Sequence, residues 1–232
     1  MIRKEWFRPK KLRVLMAWIA APVLLFYSNL NGTSFFWGAA LMIAGELIRC
    51  WSLGFVEKKG WKLAMSGPYA LTRNPLYVGN FFLGLGLVVI AANWIFVALF
   101  FIGFTFIYLG TIRGEEKELL ERFGATYENY CKNVPRLFPR FTPSKAPEPN
   151  SFDWNRIVMH HEYVTALGIA LLLCGIRLYY TLFLQKEPLG SQAGLIVIFI
   201  ILSAALVFER LFISDFKRMF AEGLPNLFLK KK

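Results

Sequence analysis

Long apolar runs broken by short polar stretches set the first expectation for this chain. Six such runs can be drawn, at residues 14–30, 35–55, 76–92, 94–112, 163–184 and 194–213. Each approaches the ~20 residues, or ~17 at the short end, that an α-helix needs to cross a bilayer. The expected class is therefore all-α: a polytopic transmembrane helical bundle of about six spans. Pro22 removes a backbone donor from the first run and is expected to kink it. The fourth run should continue past Ile112 as one helix, because Glu115 to Phe123 is mostly helix formers, until Gly124 stops it. Leu119, Leu120 and Phe123 would give that extension an apolar face.

The runs group into four parts. Residues 1–56 form an N-terminal transmembrane hairpin, and 57–141 hold spans three and four with their polar flanks. Residues 142–156, nearly all within the Pro- and Ser-rich stretch FTPSKAPEPNSFDWN, form a linker, and 157–232 form a C-terminal hairpin with a basic tail. Spans three and four are separated by little more than Asn93, so they must be antiparallel neighbours. Gly79, Gly84 and Gly86, facing Gly103 and Gly110, are expected to let those two backbones approach closely. Glu46 and Arg49 stand at i and i+3 in span two, where an ion pair within the helix and a cavity wall are the two readings. Arg177 is expected to snorkel to the outer surface. His160, His161 and Glu162 read as a wet helix start, since adjacent histidines diverge on a helix; no metal site is expected.

Composition strengthens the membrane reading. The chain is 56% hydrophobic, against about 45–50% in soluble domains. Its formal net charge of +12 is sorted by topology: of 27 Lys and Arg, all but Arg49, Arg177 and Lys186 fall on one side of the proposed spans. The positive-inside rule then puts both termini and the loop between spans two and three in the cytoplasm. That explains the basic balance without nucleic acid, which is not an expected partner. The segment 1–13 is basic, but no small-residue cleavage site follows, so span one is expected to stay as an anchor. Cys50, Cys131 and Cys174 are scattered without ligand spacing and read as structural thiols.

Two polar tracts stand out against this background. GPYALTRNPLYVGN, from Gly67, packs two prolines, two tyrosines, an arginine and two asparagines where the chain re-enters the bilayer. TIRGEEKELLERFGATYENYCKNVPRLFP follows span four, placing Glu115 and Glu116 just beyond the membrane boundary, near the base of span three. Both tracts should converge on one cytoplasmic pocket.

In order and spacing, GPYALTRNPLYVG, a tight apolar hairpin, EExxL, FGxxYxxY and VPRLFP resemble the isoprenylcysteine carboxyl methyltransferase family, to which membrane phospholipid methyltransferases are related. The resemblance covers about residues 57–140. It implies a cytoplasm-facing pocket for S-adenosylmethionine. The implied cofactor contacts are Trp61, Lys62, Leu63 and Ala64, then Tyr69, then Asn74, Pro75, Leu76 and Tyr77, and finally Glu115 with Glu116 beside it. The implied reaction is transfer of a methyl group to a lipid or prenyl-like acceptor with a carboxylate or amine head group. Arg73 is read as holding an acidic head group or the cofactor carboxylate, and Glu116 as a further catalytic candidate.

These residue types suit that chemistry. A carboxylate can bind the ammonium of the donor by a charge-assisted hydrogen bond, an aromatic face suits a sulfonium, and Pro68 and Pro75 would stiffen the shelf. Tyr127 and Tyr130 would close the pocket. Two positions depart from the family pattern. Asn74 stands where a histidine is usual, and Thr111 stands where prenylcysteine enzymes place an arginine four residues before the first glutamate. Two other readings remain open, an NADPH-dependent membrane reductase of the sterol-reductase type and a non-catalytic scaffold. Spans five and six lie beyond the resemblance; covering the pocket and forming a homodimer contact are the roles open to them.

Overall fold

The computed structural model describes residues 27–57, 62–145 and 150–209. Every regular element among them is helical. Nearly all of span one, Trp61, part of the linker and the basic tail lie outside the described residues. The chain divides into two compact units, Met1–Phe152 and Asp153–Lys232.

In the first unit α1 (Gly32–Leu53) runs antiparallel to α2 (Pro75–Ala91), and a tight turn at Ala92 leads into α3 (Trp94–Phe123). Helices α1 and α3 are long and apolar enough to span a bilayer, while α2 is a shorter apolar helix. The side chain of Asn31 caps α1, accepting from Ser34 N, and the side chain of Asn93 caps α3, accepting from Ile95 N. The far end is stitched by Asn29 N donating to Ala91 O (2.9 Å) and by the Asn93 amide donating to Tyr27 O (3.0 Å).

The glycines do not act where the sequence places them. Gly79 and Gly86 of α2 face Gly45 and Gly38 of α1: a Cβ on Gly86 would lie 2.5 Å from Gly38 O, and one on Gly79 2.8 Å from Gly45 O. Nothing stands within 4 Å of a Cβ at Gly103 or Gly110. The close backbone seam is thus between spans two and three. Spans three and four meet instead through rings, Phe81 against Phe100, Phe101 and Phe104, and Tyr77 against Tyr108. Gly84 leaves room for Phe100, whose ring a Cβ would approach to 2.4 Å.

Helix α3 runs unbroken for 30 residues and ends at Gly124, whose φ of +50° favours a residue without a side chain. At 1.5 Å per residue it is about 45 Å long, so its last turns project beyond an apolar layer of about 30 Å. Helix α4 (Ala125–Asn133) folds back from it. Met65, Tyr127, Tyr130 and Val134 form a small core there, with Leu63, Leu119, Phe123 and Cys131 packed around them. Leu120, expected on the apolar face, is exposed instead.

The second unit holds α5 (Trp154–Met159), α6 (Glu162–Tyr179), which ends in a wider turn over Tyr180–Leu184, and α7 (Ala193–Phe208). Residues Glu162–Leu184 and Leu189–Phe208 are each long and apolar enough to cross a bilayer. Gly175 of α6 lies against the Phe199 ring of α7. Near the other end of this hairpin, the Tyr163 hydroxyl donates to Glu209 at 2.8 Å.

Candidate functional site

The loop before α2 is held from both sides. Gly67 takes φ +60°, and a Cβ there would strike the Phe55 ring at 2.4 Å, so glycine is required on two counts. Pro68 begins a short 3-10 turn over Gly67–Ala70, and Pro75 opens α2 at the position where a missing N–H costs nothing. From one side Asn150 accepts from Met65 N (3.1 Å) and donates its own N–H to Ser66 Oγ (2.8 Å). From the other the segment after α4 pairs with the loop backbone. Arg73 N donates to Pro135 O (2.9 Å), Arg140 N to Leu71 O and Ser144 N to Ala70 O (both 3.0 Å). The buried Thr72 hydroxyl lies 3.2 Å from Arg136 O and 3.1 Å from Leu137 O.

Between this loop and the projecting end of α3 lies a cavity of about 350 Å³. Lys62, Leu63, Ala64, Tyr69, Asn74, Pro75, Leu76, Tyr77 and Glu115, all singled out from the sequence, line it, and so does Arg73. The two tracts, some forty positions apart, therefore border one space. Tyr77 ties them together, donating its hydroxyl proton to Glu115 Oε1 at 2.5 Å. Trp61 lies outside the described residues.

Glu116 does not line this cavity. It accepts from Arg136 at both carboxylate oxygens, Oε1 from Nε at 3.0 Å and Oε2 from Nη2 at 2.8 Å. Arg73 Nη1 reaches Glu116 Oε1 at 3.2 Å and also donates to the Cys131 sulfur. The Arg73 and Glu116 side chains are only 12% and 13% exposed, so the ion pairing acts with little solvent screening. Arg73 also borders a second, more open cavity of about 400 Å³, shared with Glu116, Lys117, Tyr127, Cys131 and Lys132.

Asn74 does not cap α2. Its side-chain amide donates to Arg136 O at 2.8 Å, which leaves Oδ1 as the acceptor it can still offer. The tyrosines form the cavity's buried back. The Tyr130 hydroxyl donates to Tyr69 O at 2.7 Å. Burial, and then the charge of Glu115, push the Tyr69 hydroxyl pKa well above the ordinary tyrosine range. Tyr130 is raised first by burial and next by Tyr69, and Tyr127 first by burial and next by Cys131.

Sequence reasoning missed some of the lining. Asn80 reaches the cavity from α2, and Leu119, Arg122 and Phe123 from α3. Both readings of Glu46 and Arg49 hold together: the two are paired at 3.7 Å, and Arg49 also donates to Asn80 Oδ1 while bordering the cavity. The signal was an arginine inside an apolar run, which by its cost alone points to a polar space. Among the described residues, no group of three His, Cys, Asp or Glu side chains is placed to hold a metal ion.

Residues 34–121, from α1 to near the end of α3, match the model of the isoprenylcysteine carboxyl methyltransferase family. Among individual relatives, a cobalt-zinc-cadmium resistance protein of Cupriavidus metallidurans is 29% identical over 56% of this chain and 62% of its own length. A nickel-cobalt-cadmium resistance protein of Alcaligenes xylosoxydans xylosoxydans is 32% identical over 40% of this chain and 44% of its own. The protein-S-isoprenylcysteine O-methyltransferase of Schizosaccharomyces pombe is 36% identical over 36% of this chain and 35% of its own. The chain thus spans less than two thirds of each of these relatives. No solved structure matches it.

Proposed function

We propose that the chain is an integral-membrane methyltransferase that uses S-adenosylmethionine, with its cavity opening to the cytoplasm and a lipid or lipid-tailed acceptor entering from the bilayer. The observation that carries this reading is the convergence of the TRNP loop and Glu115 on one cavity, joined by the Tyr77–Glu115 hydrogen bond. The resistance-protein names of two relatives state no reaction; the methyltransferase name of the third agrees with the donors gathered here.

The residues fit the donor molecule. The cavity's volume lies within the usual range of ligand pockets, about 300–1,000 Å³. Glu115 supplies a carboxylate for the ammonium, and Lys62, Arg73 and Arg122 supply cations for the carboxylate. Leu63, Ala64, Leu76, Leu119 and Phe123 offer an apolar slot for a base, and Tyr69 and Tyr77 offer aromatic faces suited to a cation. When bound, the donor supplies a methyl group made electrophilic by its sulfonium.

The chain's own residues then orient and exclude water. Tyr77 fixes Glu115 at one wall, where it serves the ammonium end; a free carboxylate beside the sulfonium would favour the ground state and slow transfer. Glu116, neutralised by two arginines, holds Arg73 in place rather than touching the donor. Arg49 and Asn80 lie about one turn inside the bundle, where Arg49 offers a donor to an acidic acceptor head group. Alignment in such a site supplies much of the acceleration for an in-line transfer.

Calorimetry on purified protein tests the reading. S-adenosylhomocysteine should bind in the micromolar range, and Glu115→Ala should weaken it by about tenfold or more, the loss expected for a charge-assisted hydrogen bond. Binding of NADPH in its place would overturn methyl transfer in favour of a reductase. Labelled methyl donor incubated with native lipid extract identifies the acceptor.

A further inference from the structure

The segment RLFPRF, residues 136–141, presents two large apolar side chains with almost no protein cover. Phe138 is 84% exposed and Phe141 fully so. Phenylalanines this bare are unfavourable in water, at about 25 cal/mol per Å² of apolar surface. Their height relative to the spans is fixed by hydrogen bonds already described. Arg73 N and the Asn74 amide, on the two residues preceding Pro75, bond to Pro135 O and Arg136 O. Pro75 is the first residue of α2, so the segment is pinned where that apolar helix begins. Arg140 and Lys145 flank the rings and are exposed. The Arg140 guanidinium donates to Asn133 O at 2.7 Å and lies 3.3 Å from Thr142 Oγ1, which holds it beside the rings.

We propose that residues 136–145 form an interfacial wedge, with Phe138 and Phe141 inserted among the lipid acyl chains and Arg140 and Lys145 set against anionic head groups of the same leaflet. Apolar rings with basic neighbours are the composition of segments that lie in the membrane interface, and each basic residue near an anionic surface adds to the attraction. The partner is the bilayer that the protein's own helices span, not a second protein. The wedge shares its backbone with the wall of the candidate site, so lipid contact at Phe138 bears directly on the loop carrying Arg73 and Asn74. The membrane contact is independent of the methyl-transfer reading.

The test uses the full chain in nanodiscs, with 4-trifluoromethyl-phenylalanine placed singly at 138 or 141, and at exposed Glu121 as a reference. Fluorine relaxation is measured with dissolved oxygen, which concentrates in lipid, and with a water-soluble nickel chelate. At 138 and 141 oxygen should dominate, and at 121 nickel. The contrast at 141 should fall by about twofold when anionic lipid is replaced by phosphatidylcholine, or in an Arg140→Gln, Lys145→Gln variant in anionic discs. Nickel access at 138 and 141 equal to that at 121 would overturn the proposal. Exclusion of both reagents would overturn it too, since that places the rings against protein, as in a dimer.

Discussion

Arg73 links the two cavities of the site. It touches Glu116 and Cys131, borders both cavities, and its partner Glu116 is gripped at both oxygens by Arg136. If Arg136 acts through Glu116 on Arg73, their contributions to ligand affinity cannot add. Arg136→Gln should weaken S-adenosylhomocysteine binding by about threefold to tenfold, and Arg73→Gln by at least as much. The double variant should bind no worse than Arg73→Gln alone, as read by calorimetry. The tyrosines make a prediction with pH. Burial raises Tyr69 and Tyr130 above the free tyrosine pKa of about 10. A group with a raised folded pKa contributes stability that is whole below its unfolded pKa and is lost as pH climbs through the folded one. Thermal unfolding in detergent should hold level to about pH 9 and fall above about pH 10. Tyr130→Phe should flatten that fall while losing one hydrogen bond, about 1 kcal/mol.

Among the helices, the α1–α2 seam is where packing is tightest. Gly86→Val would drive a branched side chain into Gly38 O and Met42, and should destabilise by about 1–3 kcal/mol or more. Gly103→Ala and Gly110→Ala meet open space and should be neutral or stabilising by a few tenths of a kcal/mol. Thermal melts of the three variants side by side decide this. The seam shows what the sequence hides. Apolar runs and a breaker such as Gly124 are local signals, so the spans beginning at Trp94 and near Pro75 were legible to within a residue or two. A stripe of glycines marks a face for close approach but not the helix that approaches. The short turn at Asn93 argued for span four; the shape of the Phe81, Phe100 and Phe104 rings, which hold α2 and α3 apart, decided for span two. The candidate site was legible for the same reason that motifs are, because its wall is contiguous sequence from Lys62 to Tyr77. Arg136 was not: a hairpin of α3 and α4 brings it back across twenty residues to Glu116, and no local pattern announces that return.

At the scale of the molecule, the cavity, its loop and the wedge all belong to the unit Met1–Phe152, and the hairpin after it is a separate compact body. Basic residues are segregated along the sequence, and the fold gathers polar side chains at one end of α2 and α3. That gathering depends on α3 being a single rod. One end is long and apolar enough to lie in hydrocarbon and the other carries Glu115 on a wall of the cavity, so a change in its tilt relative to α2 would move the carboxylate with respect to Tyr77. Tilt answers to bilayer thickness. On the proposed methyl-transfer reading, turnover in nanodiscs of short and long acyl chains should therefore pass through an optimum rather than stay flat, and Tyr77→Phe should shift its position. Through that lever, the thickness of the host membrane would become an input to the proposed chemistry.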